Sequence, residues 1–367
     1  MELGVTTFAE TFPDPVTGEL VGHGERLRQV LAEVQTADRV GLAIYGLGEH
    51  HRADFAASAP VVTLAAAAAT TEHIRLTSAV TVLSSDDPVR VFQDFATLDQ
   101  LSGGRAEIIA GRGSFTESFP LFGYDLAGYD ELFAEKLDLL LALRDHERVT
   151  WSGNHRAALR DQAVYPGPLQ QPLPIWVGVG GNPNSVVRAG ALGRPMALAI
   201  IGGQPDQFAP LTDLHRRALR EYGHNPASAP IAVNAHGFIA DDTDTAKEQF
   251  YGSYQVAMSQ LGRERGWPAM TRDAFENAVA DRGSLVLGSP EQVAAKIVRM
   301  HEVLGIERFM LHVSVGTLPH EQVLRAIELL GTEVAPLVQA QLGGAESTRV
   351  HAVSDPVQAV SELTPAS

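Results

Sequence analysis

The sequence contains no cysteine among its 367 residues. This absence excludes disulfide bonds, catalytic thiols and metal sites with cysteine ligands, but it does not distinguish between cellular compartments. A run of about 18 apolar residues, which a membrane-spanning helix needs, is also missing. The segment from Met1 to Val5 has neither the charged start nor the long apolar stretch of a signal peptide. We therefore expect a soluble protein of the cytoplasm.

Positive charge is scarce in this chain. Lys and Arg number 28 against 44 Asp and Glu, which gives a net charge of −16. This balance argues against nucleic acid or an anionic membrane as the main partner. It does not exclude an anionic cofactor, because backbone amides with one or two arginines suffice to hold one phosphate.

Strand-like apolar runs alternate with helix-like amphipathic runs along most of the chain. We predict eight strands, at residues 3–8, 42–47, 74–83, 105–110, 175–179, 196–201, 231–240 and 306–313. Strict alternation indicates a parallel sheet, and eight units are the number in a (β/α)8 barrel, also called a TIM barrel. A doubly wound open sheet is the alternative, because alternation alone does not show closure.

The predicted units form one domain over residues 1–342. Residues 146–173 are rich in turn signals and are interpreted as an insertion that starts with a hairpin. Residues 262–283 are predicted to be a polar loop and a second insertion. The segment 343–367 is rich in Ser, Ala, Glu and Pro and is predicted to be a flexible tail.

Three ionisable side chains follow the second predicted strand, in the stretch Gly46-Leu47-Gly48-Glu49-His50-His51. In parallel α/β folds the carboxyl ends of strands carry the chemistry. Histidine changes its protonation state near neutral pH, so this stretch is a candidate for proton transfer. Two histidines beside a carboxylate are also compatible with a metal site, although the sequence shows no third ligand in matching context.

Two glycine-containing turns are candidates for binding an anion. Residues 178–193 read Gly-Val-Gly-Gly-Asn-Pro-Asn-Ser-Val-Val-Arg-Ala-Gly-Ala-Leu-Gly, in which glycines permit close approach and a helix N-terminus presents free amides. Gly111-Arg112-Gly113-Ser114 places an arginine at a strand end, where it can reach a phosphate or a carboxylate. Each turn is equally compatible with an ordinary strand–helix connection.

Three further features carry less information. Small residues from Thr77 to Thr81 leave room for a flat ring, although an ordinary buried strand has the same pattern. His236 and His312 are single histidines in apolar strands. Such residues are more often satisfied core or lining groups than catalysts.

Taken together and in this order, several segments resemble the bacterial-luciferase-like flavin monooxygenases. The resemblance covers residues 3 to about 341. It rests on Gly48-Glu49-His50-His51, on residues 74–83 leading to Pro88-Val89-Arg90, on residues 95–105, on Gly111-Arg112-Gly113, and on the glycine-rich turn before Arg188-Ala189-Gly190.

The resemblance implies a (β/α)8 barrel with insertions that binds reduced FMN, or in some branches the deazaflavin F420, at the barrel mouth. It implies oxidation of a small organic substrate with O2, and a separate reductase that supplies the reduced flavin. A homodimer or tetramer is expected on the same ground.

The resemblance also assigns roles to individual residues. His50 matches the catalytic histidine, and Ala79-Val80, preceded by Ser78, matches a non-prolyl cis peptide that lies against the flavin ring. Arg112 falls on the phosphate side of the flavin. The phosphate-binding turn corresponds to Gly180, Gly181, Asn182 and Ser185. A hydroxyl residue is common where this chain has Asn182, which shifts phosphate binding toward backbone amides.

Three alternatives stay open on the sequence. The first is an F420-dependent dehydrogenase or reductase on the same barrel. The second is a flavin-binding protein without catalytic activity, against which the retained Glu49-His50-His51 argues. The third is a metal-dependent hydrolase that uses the paired histidines.

Overall fold

Within the residues described by the computed structural model, 1–113 and 115–343, eight parallel strands close into a barrel. Twelve strands are present in this part of the chain: β1 Glu2–Thr7, β2 Ile44–Leu47, β3 Arg75–Ser78, β4 Thr81–Val82, β5 Ala106–Gly111, β6 Arg148–Trp151, β7 Leu159–Ala163, β8 Ile175–Val179, β9 Met196–Ile200, β10 Ile231–Ile239, β11 Val286–Gly288 and β12 Arg308–His312. The barrel order is β1-β2-β3-β5-β8-β9-β10-β12, and β12 pairs with β1. This closure confirms the predicted barrel and excludes the open doubly wound sheet.

Helices surround the barrel and connect its strands. They are α1 His23–Arg39, α2 Pro60–Ala68, α3 Pro88–Ser102, α4 Ser118–Phe122, α5 Tyr129–Asp145, α6 Pro183–Ala191, α7 Ala209–Glu221, α8 Thr243–Arg265, α9 Arg272–Val279, α10 Pro290–Leu304 and α11 His320–Leu329. A π-helical turn, Leu330–Val334, continues α11. None of the helices in the described part of the chain is long and apolar enough to cross a membrane.

Helix ends follow signals that are legible in the sequence. The carboxylate of Asp87 accepts hydrogen bonds from the first free amides of α3, and Gly103 ends this helix with φ 70°. Ser289 and Gly305 have the same roles at the two ends of α10. These caps fix where each helix leaves the barrel wall.

The structure differs from the sequence prediction in three segments. The predicted strand 74–83 is divided into β3 and β4, and the peptide bond between Ala79 and Val80 is cis. The predicted polar loop 262–283 is wrong in part, because α8 extends to Arg265 and Thr271 caps helix α9. Strand β11 has only three residues and was missed because so short a run carries no periodic signal.

The segment 146–173 contains the antiparallel pair β6–β7, which lies outside the barrel sheet between α5 and β8. Of the predicted tail 343–367, residues 344–367 lie outside the described residues, and Gly343 is the last residue of a helix.

Charged side chains fill the amino-terminal end of the barrel. Arg308 donates to Glu107 at 2.7 Å and to Glu2 at 2.7 Å, and Arg75 lies 3.1 Å from Glu107. The guanidinium of Arg308 stacks over the ring of Trp176, 4.3 Å from its centroid. Both Arg308 and Glu107 are buried, so each depends on the other to offset the loss of water.

An apolar layer follows directly above this ionic layer. It consists of Ile44, Ile109, Trp176, Ala197, Ala232 and Met310. Since these side chains belong to six strands, they fill the amino-terminal half of the barrel, and a cavity opens toward the carboxyl ends.

We predict that Arg308→Ala lowers the free energy of unfolding by about 3–5 kcal/mol, because the substitution leaves Glu107 buried without its main partner. Arg325→Ala, which breaks an exposed ion pair with Asp241, is the matched control and is expected to cost less than about 1 kcal/mol. Urea denaturation measures both values. Equal losses in the two variants would contradict the structural role of the ionic layer.

Candidate functional site

A cavity of about 600 Å³ opens at the carboxyl ends of the barrel strands. One arc of its wall, formed by β5, β8 and β9, carries small residues: Gly111, Gly178, Gly180, Ala197 and Ala199. The facing arc, formed by β10, β12 and β1, carries larger side chains: Asn234, His236, Met310, His312 and, just after β1, Phe8. The cavity therefore has one wall of small residues and, opposite it, a wall with larger and mostly polar side chains, which we call the functionalised wall.

His50, the predicted catalytic residue, lies in this cavity and is 8% exposed. Its ring stacks on Phe55 at a centroid distance of 4.3 Å, and Phe8 and Phe115 approach it edge-on at 4.7 and 4.8 Å. Its Nδ1 has no hydrogen-bond partner among the described residues. Three aromatic rings therefore fix the position of the imidazole, but they offer no hydrogen bond to its Nδ1.

Burial, together with the nearby His312, lowers the pKa of His50 from 6.5 to about 3. His50 is therefore a neutral imidazole at physiological pH. A neutral ring has one N–H donor and one acceptor nitrogen, so it can donate one hydrogen bond to a bound molecule and accept another.

Glu49 is oriented by two contacts. One carboxylate oxygen lies 2.9 Å from Nε2 of His51, and the other accepts the backbone N–H of Val82 at 2.9 Å. The carboxylate consequently ties the end of β2 to the segment that follows the cis peptide bond. Glu49 and His51 form a pair, while His50 faces the cavity separately.

Four of the predicted cofactor-binding residues line the cavity together: Ala79, Val80, Gly180 and Ser185. A side chain added at Gly180 would enter open space, whereas one at Gly178 would come within 3.0 Å of Val80. Val80 therefore rests against the glycine wall, and open space remains beside Gly180. Ser185 lies in the first turn of α6.

Arg112 also lines the cavity, but it already has partners. Its guanidinium pairs with Asp130 and stacks over the ring of Tyr129, 4.9 Å from the centroid. Asp130 is largely exposed, so this ion pair is weak and leaves Arg112 able to exchange partners.

The remaining three predicted residues are not part of the cavity lining. The hydroxyl of Ser78, which is buried, accepts from Thr81 at 2.8 Å and from the backbone N–H of Ile109 at 3.3 Å. Asn182 is exposed and caps α6 by accepting the backbone N–H of Asn184, and Gly181 takes φ 98° in the preceding turn.

Sequence reasoning missed a polar cluster on the functionalised wall. Glu10 follows β1, is 4% exposed, and lies 2.8 Å from Nε2 of His312. His236 and His312 were interpreted as core or lining groups, and both line the cavity with ring centroids 5.1 Å apart. The position of Glu10 just beyond a strand end was the only available signal, because its histidine partner lies 302 residues away in the chain.

In the described ranges 1–113 and 115–343, no three His, Asp or Glu side chains converge as ligands for a metal ion. His50 and His51 are neighbours in the sequence but have different contacts. His51 contacts the carboxylate of Glu49, whereas His50 contacts aromatic rings.

Residues 1–307 match the family model described as luciferase-like monooxygenase. The match covers most of the chain. This chain belongs to the luciferase-like monooxygenase family.

Two named monooxygenases are similar to this chain over most of its length. The chain is 26% identical over 320 residues to 4-hydroxyprotoasukamycin monooxygenase of Streptomyces nodosus subsp. asukaensis, covering 84% of this chain and 85% of that protein. It is 25% identical over 323 residues to limonene 1,2-monooxygenase of Rhodococcus erythropolis, covering 86% and 83%.

Solved structures share the fold. The monooxygenase RslO1 from Streptomyces bottropensis superposes with a TM-score of 0.80 at 25% identity, covering 92% of this chain and 99% of that one. The oxygenating constituent of 3,6-diketocamphane monooxygenase from Pseudomonas putida, in complex with FMN, gives 0.75 at 21%, covering 92% and 98%. An F420-dependent secondary alcohol dehydrogenase gives 0.73 at 18%, also covering 92% and 98%.

The neutral state of His50 in this luciferase-like barrel leads to a prediction about acid stability. The unfolded chain binds a proton at this histidine near pH 6.5, whereas the folded chain does so only near pH 3. Stability from neutral His50 is therefore complete above pH 6.5 and is lost as the pH falls toward 3. Relative to His50→Gln, the wild type should lose roughly 2 kcal/mol between about pH 7.5 and pH 5.

Urea denaturation of both proteins at the two pH values measures this difference. Other buried histidines titrate equally in both proteins, so they cancel in the comparison. If wild type and variant lose stability in parallel, His50 is not held neutral.

Proposed function

We propose that this protein is a monooxygenase that uses reduced FMN and O2 to oxidise a small organic substrate in the barrel cavity. The observation that carries the proposal is the combination, in one cavity, of a small-residue wall beside Val80 and a buried neutral His50. The family match and the two named monooxygenase relatives support the same reaction class.

The cavity fits a flavin in shape. Gly180, Ala79 and Val80 offer a flat surface with few protruding atoms, and a side chain at Gly180 would fill the adjoining space. Glycine and alanine at such positions let a planar ring approach the backbone. Bound reduced flavin would supply the electrons that activate O2.

The phosphate of the cofactor would fit near the N-terminus of α6. The helix dipole attracts an anion there, and the hydroxyl of Ser185 lines the cavity in the first helical turn. Arg112, which pairs with the exposed Asp130 and stacks over Tyr129, lines the same cavity. Asn182 caps the helix and already accepts the amide of Asn184, so the phosphate contact would fall to Ser185 and Arg112.

The chain's own residues would exclude water and handle protons. Phe8, Phe55 and Phe115 shield His50, and shielding strengthens each polar interaction inside the site. A neutral imidazole at this position can donate a hydrogen bond to the reacting oxygen and so share a proton with it. Glu49 fixes the loop that carries His50 through His51 and the amide of Val82.

F420 is the second cofactor candidate, because the fold is shared with an F420-dependent dehydrogenase. We propose FMN since the named relatives covering most of the chain are monooxygenases. A separate reductase that delivers reduced flavin, a homodimer or tetramer, and a cytoplasmic location belong to the same proposal.

We predict that anaerobic titration of the protein with reduced FMN gives saturable binding, and that F420 binds more weakly. Admission of O2 with a panel of apolar substrates should then give oxygen uptake coupled to product. His50→Ala should bind reduced FMN normally and lose most coupled turnover, because its proton-handling group is gone. Preferential F420 binding, or full turnover in His50→Ala, would overturn the corresponding part of the proposal.

For the phosphate site, we predict that Ser185→Ala and Arg112→Ala each weaken FMN binding by about three- to tenfold, which corresponds to one hydrogen bond or a partly exposed ion pair. Fluorescence titration with FMN and with riboflavin, which lacks the phosphate, measures the effect. Riboflavin affinity should stay unchanged in both variants. Arg148→Ala, which breaks an exposed ion pair with Asp161 on the β6–β7 hairpin, is the matched control. Unchanged FMN affinity in both test variants would refute this placement.

A further inference from the structure

One carboxylate of the cavity differs from the others in its contacts. Within the described ranges, five carboxylates line the cavity. Four of them contact a histidine or an arginine: Glu10, Glu49, Asp54 and Glu264. The fifth is Glu117, whose Oε1 is enclosed by the protein and has no hydrogen-bond partner among the described residues. The fold therefore supplies a partner to every cavity carboxylate in this part of the chain except one oxygen of Glu117.

Ser118, the next residue, shows the same feature. It is 2% exposed and lines the cavity, and its Oγ has no hydrogen-bond partner in the described part of the chain. Folded proteins pair nearly all of their buried polar atoms, because an unpaired one has lost its water without compensation. Two adjacent residues with unpaired polar atoms at one cavity indicate that a bound molecule supplies the partners.

The two side chains define the chemistry of that molecule. A carboxylate only accepts hydrogen bonds, whereas a serine hydroxyl both donates and accepts. A hydroxyl group on the ligand is complementary to both, since it can donate to Glu117 and exchange a hydrogen bond with Ser118. A phosphate or a carboxylate is not complementary, because its charge would lie beside the like charge of Glu117. The pair is therefore suited to a hydroxylated chain.

The segment from Phe115 to Phe119 connects the two functional ends of the cavity. At its start, the ring of Phe115 approaches His50, with 4.8 Å between the ring centroids. At its end, Phe119 packs against Tyr129 with 5.5 Å between the centroids, and the guanidinium of Arg112 lies 4.9 Å from the centroid of the same tyrosine ring. The unpaired carboxylate and hydroxyl lie in the chain between these two ends.

We propose that Glu117 and Ser118 bind the hydroxyl groups of the ribityl chain, which joins the flavin ring of the cofactor to its phosphate. The inference rests on the function proposed above, in which His50 faces the reacting ring and Arg112 lies on the phosphate side. Glu117 accepts a hydrogen bond from one ribityl hydroxyl, and the hydroxyl of Ser118 bonds to another. Both polar atoms thereby gain the partners that the fold does not provide.

The first test compares two reduced flavins that differ in the group on one ring nitrogen: riboflavin carries the ribityl chain, and lumiflavin carries a methyl group. Anaerobic calorimetric titration of the flavin-free protein should show tighter binding of riboflavin. Glu117→Leu should weaken riboflavin binding about ten- to thirtyfold, because a charge-assisted hydrogen bond is lost, and Ser118→Ala about three- to tenfold. The affinity for lumiflavin should stay unchanged in both variants.

Two further variants complete this test. Glu117→Gln keeps an acceptor oxygen and should recover most of the riboflavin affinity that Glu117→Leu loses. Thr116→Ala is the matched control, because Thr116 belongs to the same segment but is exposed and is not part of the cavity lining. Equal losses for riboflavin and lumiflavin would place the contact on the ring, and equal affinities of the wild type for the two flavins would leave nothing for a ribityl site. Either result would overturn the proposal.

The second test uses the melting temperature of the flavin-free protein to separate ligand binding from a structural role. Ser118 and Ser253 are both 2% exposed, but Oγ of Ser253 donates to the backbone carbonyl of Thr317 at 2.5 Å. Ser253→Ala should therefore lower the melting temperature, whereas Ser118→Ala should leave it unchanged or raise it, since no hydrogen bond is lost. An equal fall in the two variants would show that Ser118 is already bonded without flavin, and the proposal would be wrong.

The outcomes also distinguish this site from the proposed function. Both FMN and F420 carry the ribityl chain. If riboflavin binding depends on Glu117 and Ser118 while F420 is preferred or no substrate gives oxygen uptake, the proposed monooxygenase function fails and the ribityl site stands. If reduced FMN supports coupled turnover while both variants bind riboflavin as the wild type does, the ribityl site fails and the proposed function stands.

Discussion

The interior of a closed eight-stranded barrel is just wide enough for side chains to fill it, and this constraint governs the molecule. At the amino-terminal end, Arg308 and Glu107 fill the space, and an apolar layer that includes Trp176 covers them. At the other end the strands β5, β8 and β9 carry glycine and alanine, so the same barrel radius leaves a cavity of about 600 Å³. Small residues along these three strands therefore help to separate the packed core from the site.

Ionisable side chains around the cavity occur mostly in pairs. Glu10 faces His312, Glu49 faces His51, and Arg112 faces Asp130. His50 differs from all of these because aromatic rings surround it and, in the described part of the chain, no carboxylate forms an ion pair with it. Its neutral state is a consequence of desolvation, which the nearby Asp54 offsets only in part.

The sequence predicted most of what depends on local periodicity and capping. The eight barrel strands, the caps at Asp87 and Ser289, and the strand-end position of His50 follow from short stretches of chain. The cluster around Glu10 and His312 did not follow, because its members are about 300 residues apart and meet only when β12 pairs with β1. Neither the side chain of Ser78 nor that of Asn182 was predicted to turn away from the cavity, since the direction of a side chain near a strand end depends on the local backbone.

Glu49 joins two segments that a ligand would contact separately. One of its oxygens holds His51, beside His50, and the other holds the amide of Val82, two residues after Val80. One carboxylate therefore links the segment that carries His50 to the segment that carries Val80. Removal of this carboxylate would release both sides of the cavity at once.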